Sequence, residues 1–549
     1  MLPGALPIGF GLVAVTAAAA ALARRSLAPP SIFLVLVGLA LGFVPGVPRV
    51  ELRPDLVLNL LLPPLLYTSG VGMSWRGFKE NLRPILSLAV GCVIFTATAT
   101  AFVLNHFLNL PWAVGFVLGA VVSPPDAVAP MAIARRFAVP GRILTILEGE
   151  GLVNDATALI LFSFAVGAVV EGQNFTFLAA GGKFAAVVAG EIGWGLLVGW
   201  GALALRRWVK EPQIEMVLAL LTPFAAFWVP ETLGGSGVLA TVTAGLFVSW
   251  NGPRFISPAT RLQGFFVWGL VTYLIEGVVF LLMGLQAPVI MDDLHGGQWG
   301  RLALAAVLVA VVIVLVRFAW VFAATYLPRL APSRRARAPA PPWQQVFVVG
   351  FTGIRGVVSL AAALSIPLMA ADGPFPERAM LLLVTFTVIL LTLVGQGLTF
   401  KWLIQALGLV AAGEKEAAEA KRREVAARVA GIDAALAKLE ELEGAGASPA
   451  AVEAIKRRHG DRRAYFVAAC QDLESGEVST AYSALQLRFL EAERASIAEL
   501  YARGRWMTRP GGASSASWTW MIHESVMPPP AVLAALSRRI AARILTFRV

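Results

Sequence analysis

The sequence predicts an all-α polytopic membrane protein, with about 13 transmembrane helices and a C-terminal cytoplasmic helical tail. Three observations predict it. Of 549 residues, 57% are hydrophobic and only 14% charged, and the mean hydropathy of +0.73 is far above that of a soluble domain. Apolar runs of roughly 20 residues, the length that spans a bilayer, recur from Gly4 to about Val410 between short charged loops. From Gly413 onward the composition changes to Ala, Glu and Arg, as in Glu414-Lys415-Glu416-Ala417-Ala418-Glu419, the pattern of a soluble helix.

The first apolar run, Gly4 to Leu22, is Ala-rich like a secretory signal. No basic segment precedes it and Arg24-Arg25 follows it, the reverse of a signal peptide, so it reads as an uncleaved span. The second run (Ser31 to Val44) is short, and only Pro230-Glu231-Thr232 separates the eighth (Ile214 to Val229) from the ninth (Gly234 to Trp250). Alternate loops carry the Arg and Lys excess: Arg24 and Arg25; Arg76, Lys79 and Arg83; Arg135, Arg136 and Arg142; Arg206, Arg207 and Lys210; Arg254 and Arg261; Arg329, Arg334, Arg335 and Arg337. The intervening loops hold only Arg49, Arg53, Lys183, Arg301 and Arg378. Basic loops stay in the cytoplasm, so the amino terminus is expected outside, the tail inside, and the number of spans odd. Three parts follow: a transmembrane domain over 1–410, a cytoplasmic tail over 411–504 with helices near Glu414 to Glu443, Pro449 to Glu474 and Thr480 to Arg503, and a low-complexity segment with a basic amphipathic end over 505–549. High Ala, Arg and Gly content points to a GC-rich bacterium and hence to the inner membrane of the cell.

The net charge of +11 is accounted for by the basic loops and a mixed-sign tail, so nucleic acid is not an expected partner. Cys92 lies in a span and Cys470 in the tail, which leaves no disulfide or metal framework, and no cofactor is expected. His106, His295, His459 and His523 fall in loops or the tail. Protons crossing the membrane would therefore ride on carboxylates. No nucleophile elbow or phosphate loop occurs in the membrane region, and no enzymatic activity is expected.

Polar and helix-breaking residues concentrate in three places. The first is Ser123-Pro124-Pro125-Asp126, where two prolines remove two backbone donors and interrupt the fifth span near its middle. Broken backbone at membrane depth is tolerated where it lines a cavity. Asp126 fits both a transport carboxylate and an acid neutralised in a helix kink. The second is Glu148-Gly149-Glu150-Gly151-Leu152-Val153-Asn154-Asp155, which runs directly into the apolar stretch Ala156 to Val170. Ionised side chains inside a bilayer mark an ion or proton pathway. Asp155 can approach Asp126 if the fifth and sixth spans are neighbours, and two close carboxylates raise the affinity of the pair for a cation and of one member for a proton. Asn154 adds an uncharged amide that holds helix geometry, and Glu148 lies near the cytoplasmic end. The third is Gly350-Phe351-Thr352-Gly353-Ile354-Arg355-Gly356 in the twelfth span. Each glycine weakens a helix by about 1 kcal/mol relative to Ala and admits close backbones. Arg355 needs an acid, Glu150 or Asp155; a structural ion pair of Glu150 with Arg355 leaves Asp126 and Asp155 free. Glu191, Glu276 and Arg317 also lie within apolar runs but lack a helix-breaking context.

The fifth and twelfth spans are seven apart and run in opposite directions. Interrupted spans at corresponding places in two inverted halves are the pattern of a secondary transporter's binding site. A cation channel, or a proton-coupled transporter of another solute, would use the same acids.

Four segments carry a resemblance: Leu61-Leu62-Pro63-Pro64-Leu65-Leu66-Tyr67, Ser123 to Ala129, Glu148 to Asp155, and Gly353-Ile354-Arg355-Gly356-Val357-Val358-Ser359-Leu360. In their order and spacing, over about residues 1–410, they resemble the sodium/proton exchanger branch of the monovalent cation:proton antiporters. The resemblance implies inverted repeats with crossed broken helices, and a homodimer whose core moves like an elevator against a scaffold. It implies exchange of a monovalent cation (Na+ foremost, K+ or Li+ also possible) for H+, with Asp155 as the ion- and proton-binding carboxylate, Asn154 its structural partner, Asp126 the neighbouring site residue, and Glu150 with Arg355 the stabilising ion pair. An Asn-Asp pair in the family goes with electroneutral exchange. Accessory positions are Ser123, Pro125, Thr68, Gly151 and Thr352. Three depart from the family pattern: Thr68 stands where a Glu is usual, Gly151 where a Ser is frequent, and Pro125 where a Thr is common. Backbone carbonyls freed by Pro124 and Pro125 are expected to replace missing oxygen ligands, since hard cations bind oxygen.

Overall fold

A computed structural model describes residues 5–471 except 24–28, 48, 51, 171–176, 210, 293–298, 331–339, 371–372 and 445–447, together with scattered positions between 485 and 499. The chain divides into two compact units, Met1–Ala417 and Ala418–Val549. The helix expected over Thr480 to Arg503 and the segment 505–549 lie outside the described residues or are only sparsely covered by them.

The first unit is mostly helical. Among the described residues, seven helices are long and apolar enough to cross a membrane: Leu82–Leu108, Gly141–Val170, Gly181–Trp208, Pro212–Thr232, Thr260–Asp292, Trp299–Leu330 and Arg378–Ala406. Shorter apolar helices cover Gly9–Ala23, Pro30–Gly42 and Trp112–Val122. The eighth and ninth expected runs form separate helices, Pro212–Thr232 and Val238–Phe255, joined by a glycine-rich turn with Gly234 and Gly237 at positive φ. A two-residue antiparallel pairing, Met369–Ala370 with Gly373–Pro374, precedes the last long helix.

Both expected interruptions are present. Trp112–Val122 stops at the Ser123-Pro124-Pro125 segment and helix resumes at Val128–Arg136. Trp343–Phe351 stops at Thr352-Gly353 and helix resumes at Val357–Leu364. The large apolar core joins the first interrupted helix to Pro30–Gly42, to the 299–326 region and to Arg378–Leu390 through residues such as Leu118, Val121, Ile32, Ile313, Leu381 and Val384.

Small residues set the closest helix crossings. Gly38 and Gly284 face each other so tightly that a side chain on either would overlap the other helix's backbone. Gly70 and Gly245 do the same: a Cβ on Gly245 would lie 2.7 Å from the Tyr67 carbonyl and 3.2 Å from Gly70 Cα. On outer faces Phe265, Phe266, Trp200 and Leu315 are largely exposed, the surface a bilayer covers. Glu191, expected to have no special context, is buried and accepts hydrogen bonds from the backbone N–H groups of Ser236 (2.6 Å), Gly237 (3.1 Å) and Leu239 (3.0 Å). It caps the start of the Val238–Phe255 helix, where free N–H groups favour a negative charge.

In the second unit, Val425, Ile432 and Phe466 form a small core, edged by an Arg463–Asp433 ion pair at 2.6 Å and a Lys456–Glu443 pair at 2.7 Å.

Candidate ion-binding site

The two interruptions meet. The N–H of Asp126 donates to the carbonyl of Ile354 at 2.7 Å, so each break supplies part of the other's missing backbone pairing. A helix break exposes opposite partial charges at its two ends, carbonyls where the first half stops and N–H groups where the second half starts. The charged side chains match that pattern. Arg355, fully buried, donates from Nε to the Val122 carbonyl at 2.6 Å and from Nη2 to the Ser123 carbonyl at 3.4 Å, closing the end of Trp112–Val122. Its Nη1 donates to the Gly353 carbonyl just past Trp343–Phe351. Asp126 takes the other side: its Oδ1 accepts from the Val128 N–H at 2.9 Å at the start of the second half-helix. Gly356, which precedes Val357–Leu364, lies against Asp126 so closely that a Cβ there would overlap the carboxylate.

The expected Glu150–Arg355 ion pair is not what forms. Glu150 pairs with Arg317, with Nη1 to Oε1 at 2.6 Å and Nη2 to Oε2 at 2.9 Å, both side chains buried. Arg317 Nε also donates to the Val349 carbonyl at 3.2 Å. The physical reason is geometric: all three guanidinium nitrogens of Arg355 are engaged by carbonyls at the two breaks, whereas Arg317, in the middle of the Trp299–Tyr326 helix, gives only Nε to a carbonyl and keeps both terminal nitrogens for the buried carboxylate in a two-pronged pair. Arg317 is the structural residue missed at the sequence level. Its signal was present, since an Arg deep in an apolar run needs an acid somewhere, but an acid 167 residues away is not identified by spacing.

Asn154 is fully buried, and its Nδ2 donates to the Pro125 carbonyl at 2.7 Å, tying the Gly141–Val170 helix to the first break. Its Oδ1 has no hydrogen-bond partner among the described residues. Asp155, the next residue along the same helix, lines the cavity.

A cavity of about 460 Å³ opens at the crossing, and Asp126 and Asp155 both line it, with Pro125, Gly151, Thr68, Glu276 and Ser359. Arg135 and Glu148, an ion pair with partly exposed side chains, lie along the same cavity. Of the expected accessory positions, Thr68, Pro125 and Gly151 line it. Ser123 and Thr352 do not: both are buried and donate to carbonyls of their own helices, Ala120 at 3.0 Å and Val349 at 3.0 Å.

These features define a polytopic membrane transport protein whose acidic cavity lies where two interrupted helices cross. The chain belongs to the sodium/hydrogen exchanger family, whose transmembrane domain matches residues 11–406. It is 35% identical over 490 residues to an uncharacterized Na+/H+ exchanger of Mycobacterium tuberculosis, covering 86% of this chain and 87% of that one. It is 33% identical over 420 residues to the Na+/H+ antiporter ApNhaP of Aphanothece halophytica, covering 75% and 76%. The fold matches that of the sodium proton antiporter MjNhaP1 of Methanocaldococcus jannaschii with a TM-score of 0.59 at 19% identity, over 74% of this chain and 99% of that one.

Two outcomes follow from the crossing. Arg355→Ala leaves buried helix-end carbonyls unpaired, each costing about 1–3 kcal/mol, so the purified variant should melt well below the parent in detergent; an unchanged melting temperature would contradict the capping role. Gly356→Ala forces a methyl group into Asp126 and should cost about 1–3 kcal/mol of overpacking and displace the carboxylate. Cation-induced thermal stabilisation, if retained at parental strength in that variant, would show that Asp126 has not moved.

Proposed function

We propose that the protein is a secondary antiporter that exchanges a monovalent cation, Na+ foremost, for H+ across the cell's inner membrane, electroneutrally and as a homodimer. The observation that carries the reading is that Asp126 and Asp155 wall one cavity at the crossing of two broken helices. A cation and a proton compete there. The cation displaces protons from the two carboxylates on one side of the membrane, and protons displace the cation on the other, with direction set by the gradients. Asn154 holds the Pro125 carbonyl and so positions Asp155 against the break without adding a titrating charge.

Two further features support alternating access. The cavity runs toward Arg135 and Glu148, on the side of the basic loops, in keeping with a state open to the cytoplasm and with the tail inside. The packing also repeats with a seven-span offset: Pro30–Gly42 crosses Pro258–Asp292 at Gly38 and Gly284, and Val238–Phe255 crosses Leu62–Gly72 at Gly245 and Gly70. This is the packing expected if Pro30–Gly42 and Pro258–Asp292 correspond, by inverted repetition, to Val238–Phe255 and Leu62–Gly72.

The test is the fluorescence of a pH-sensitive dye inside acid-loaded vesicles carrying the purified protein. Adding Na+, K+ or Li+ in turn should dissipate the pH gradient, with Na+ effective; no response to any of the three would overturn the reading.

A further inference from the structure

The three positions where this chain departs from the family pattern remove side-chain oxygen from the cavity lining. The structure shows what remains there. Thr68 Oγ1 donates to the Pro64 and Leu65 carbonyls of its own helix, both at 2.9 Å. Gly151 has no side chain, and a Cβ there would sit 2.8 Å from Ala127 Cβ, so the position is closed to a larger residue without rearrangement. The Pro125 carbonyl already accepts from Asn154.

The same cavity is lined by two oxygen groups that have no partner among the described residues. Ser359 lies in the first turn of Val357–Leu364, three residues after the glycine that abuts Asp126. It is 2% exposed and lines the cavity, yet its Oγ has no hydrogen-bond partner among the described residues. A buried hydroxyl without a partner loses free energy unless something occupies its lone pairs. Glu276, in the Pro258–Asp292 helix, is partly buried, lines the same cavity and forms no hydrogen bond or ion pair among the described residues. A carboxylate at membrane depth with no cation partner is likewise unsettled until a cation arrives. Glu191 and Glu150, buried acids outside the cavity lining, are both satisfied by donors; Glu215, buried near the start of Pro212–Thr232 with Oε2 unpartnered among the described residues, does not line the cavity.

Resting on the antiport reading above, we propose that Ser359 Oγ and the Glu276 carboxylate complete the oxygen ligand set of the transported cation together with Asp126 and Asp155, replacing the oxygens absent at positions 68, 125 and 151. The set is three carboxylates and one neutral hydroxyl, a hard-donor site suited to a small, largely dehydrated monovalent cation such as Na+ or Li+. Glu276 thereby holds the place in charge that a residue at Thr68 would hold, from a different helix.

The experiment measures cation-dependent exchange in vesicles for the parent, Ser359→Ala, Ser359→Thr and Glu276→Gln, recording the half-saturating Na+, Li+ and K+ concentrations and the maximal rate. Ser359→Ala and Glu276→Gln should each raise the half-saturating Na+ and Li+ concentrations on the order of tenfold, since each loses one charge-assisted contact. The K+ value should move less, and Ser359→Thr should restore the parental values. A purely structural role would lower the maximal rate or the yield and leave the half-saturating concentrations alone. Cation-induced thermal stabilisation of the same variants in detergent gives a second readout that needs no transport. Parental half-saturating concentrations in both variants, in vesicles where the parent exchanges normally, would overturn the ligand assignment and leave the antiport reading intact. A parent that does not exchange at all would overturn both.

Discussion

Asp155→Asn should abolish cation/proton exchange while leaving the fold in place. The substitution keeps the shape of the side chain and removes the charge that a cation and a proton compete for. Among the described residues Asp155 makes no side-chain hydrogen bond and no ion pair, so its loss leaves no buried partner stranded, in contrast to Asp126, Arg355 and the Glu150–Arg317 pair. The expected result is a variant that purifies like the parent, melts within a few degrees of it, and shows a transport rate reduced to the level of empty vesicles. A retained cation-dependent pH change would rule the mechanism out. A variant that fails to fold would instead assign Asp155 a structural role.

Arg317→Ala should have the largest effect on stability. Among the described residues its guanidinium is the only hydrogen-bond and ion-pair partner of the Glu150 carboxylate, and both side chains are buried. Breaking a buried pair from one side costs about 3–5 kcal/mol, because the remaining charge is left alone in low dielectric. The variant should therefore express poorly or melt far below the parent. Removing the partner as well, in Arg317→Ala with Glu150→Ala, should recover part of the loss, since no lone charge remains; Arg317→Lys keeps the charge but loses the two-pronged geometry and should fall between. A double variant no more stable than Arg317→Ala would contradict the pairing. Arg355→Ala is not expected to respond to Glu150→Ala in this way, and that difference separates the two arginines experimentally.

Much of this was legible in the residues. The two breaks follow from Pro124-Pro125 and from the glycines around Arg355, since each removes or weakens helical hydrogen bonding at a fixed place in the chain. The convergence of Asp126 and Asp155 follows from a short connection between neighbouring helices. What spacing does not encode is which distant partner a buried charge finds. Arg355 and Arg317 both demanded compensation, and Glu150 was reachable in principle by either; the choice was made by the crossing, which presents Arg355 with the carbonyl ends of two half-helices and so leaves Glu150 to Arg317. Glu191 and Glu276 illustrate the same limit. Each is an acid in an apolar run, yet one closes a helix start and the other faces the cavity, and the difference resides in which helix packs alongside. Thr352 and Ser123 failed as cavity residues for a local reason, because a hydroxyl beside a helix end bonds back to a carbonyl three residues earlier.

The central claim, that one site holds either a proton or a cation, is tested most directly by proton release on binding. Purified protein in weakly buffered detergent solution is titrated with Na+ while the pH is recorded near the working pH of exchange. Competition predicts that cation binding expels protons, up to about one per site, and that Asp155→Asn expels none. Saturable Na+ binding with no accompanying release of protons at any pH where exchange proceeds would contradict the account.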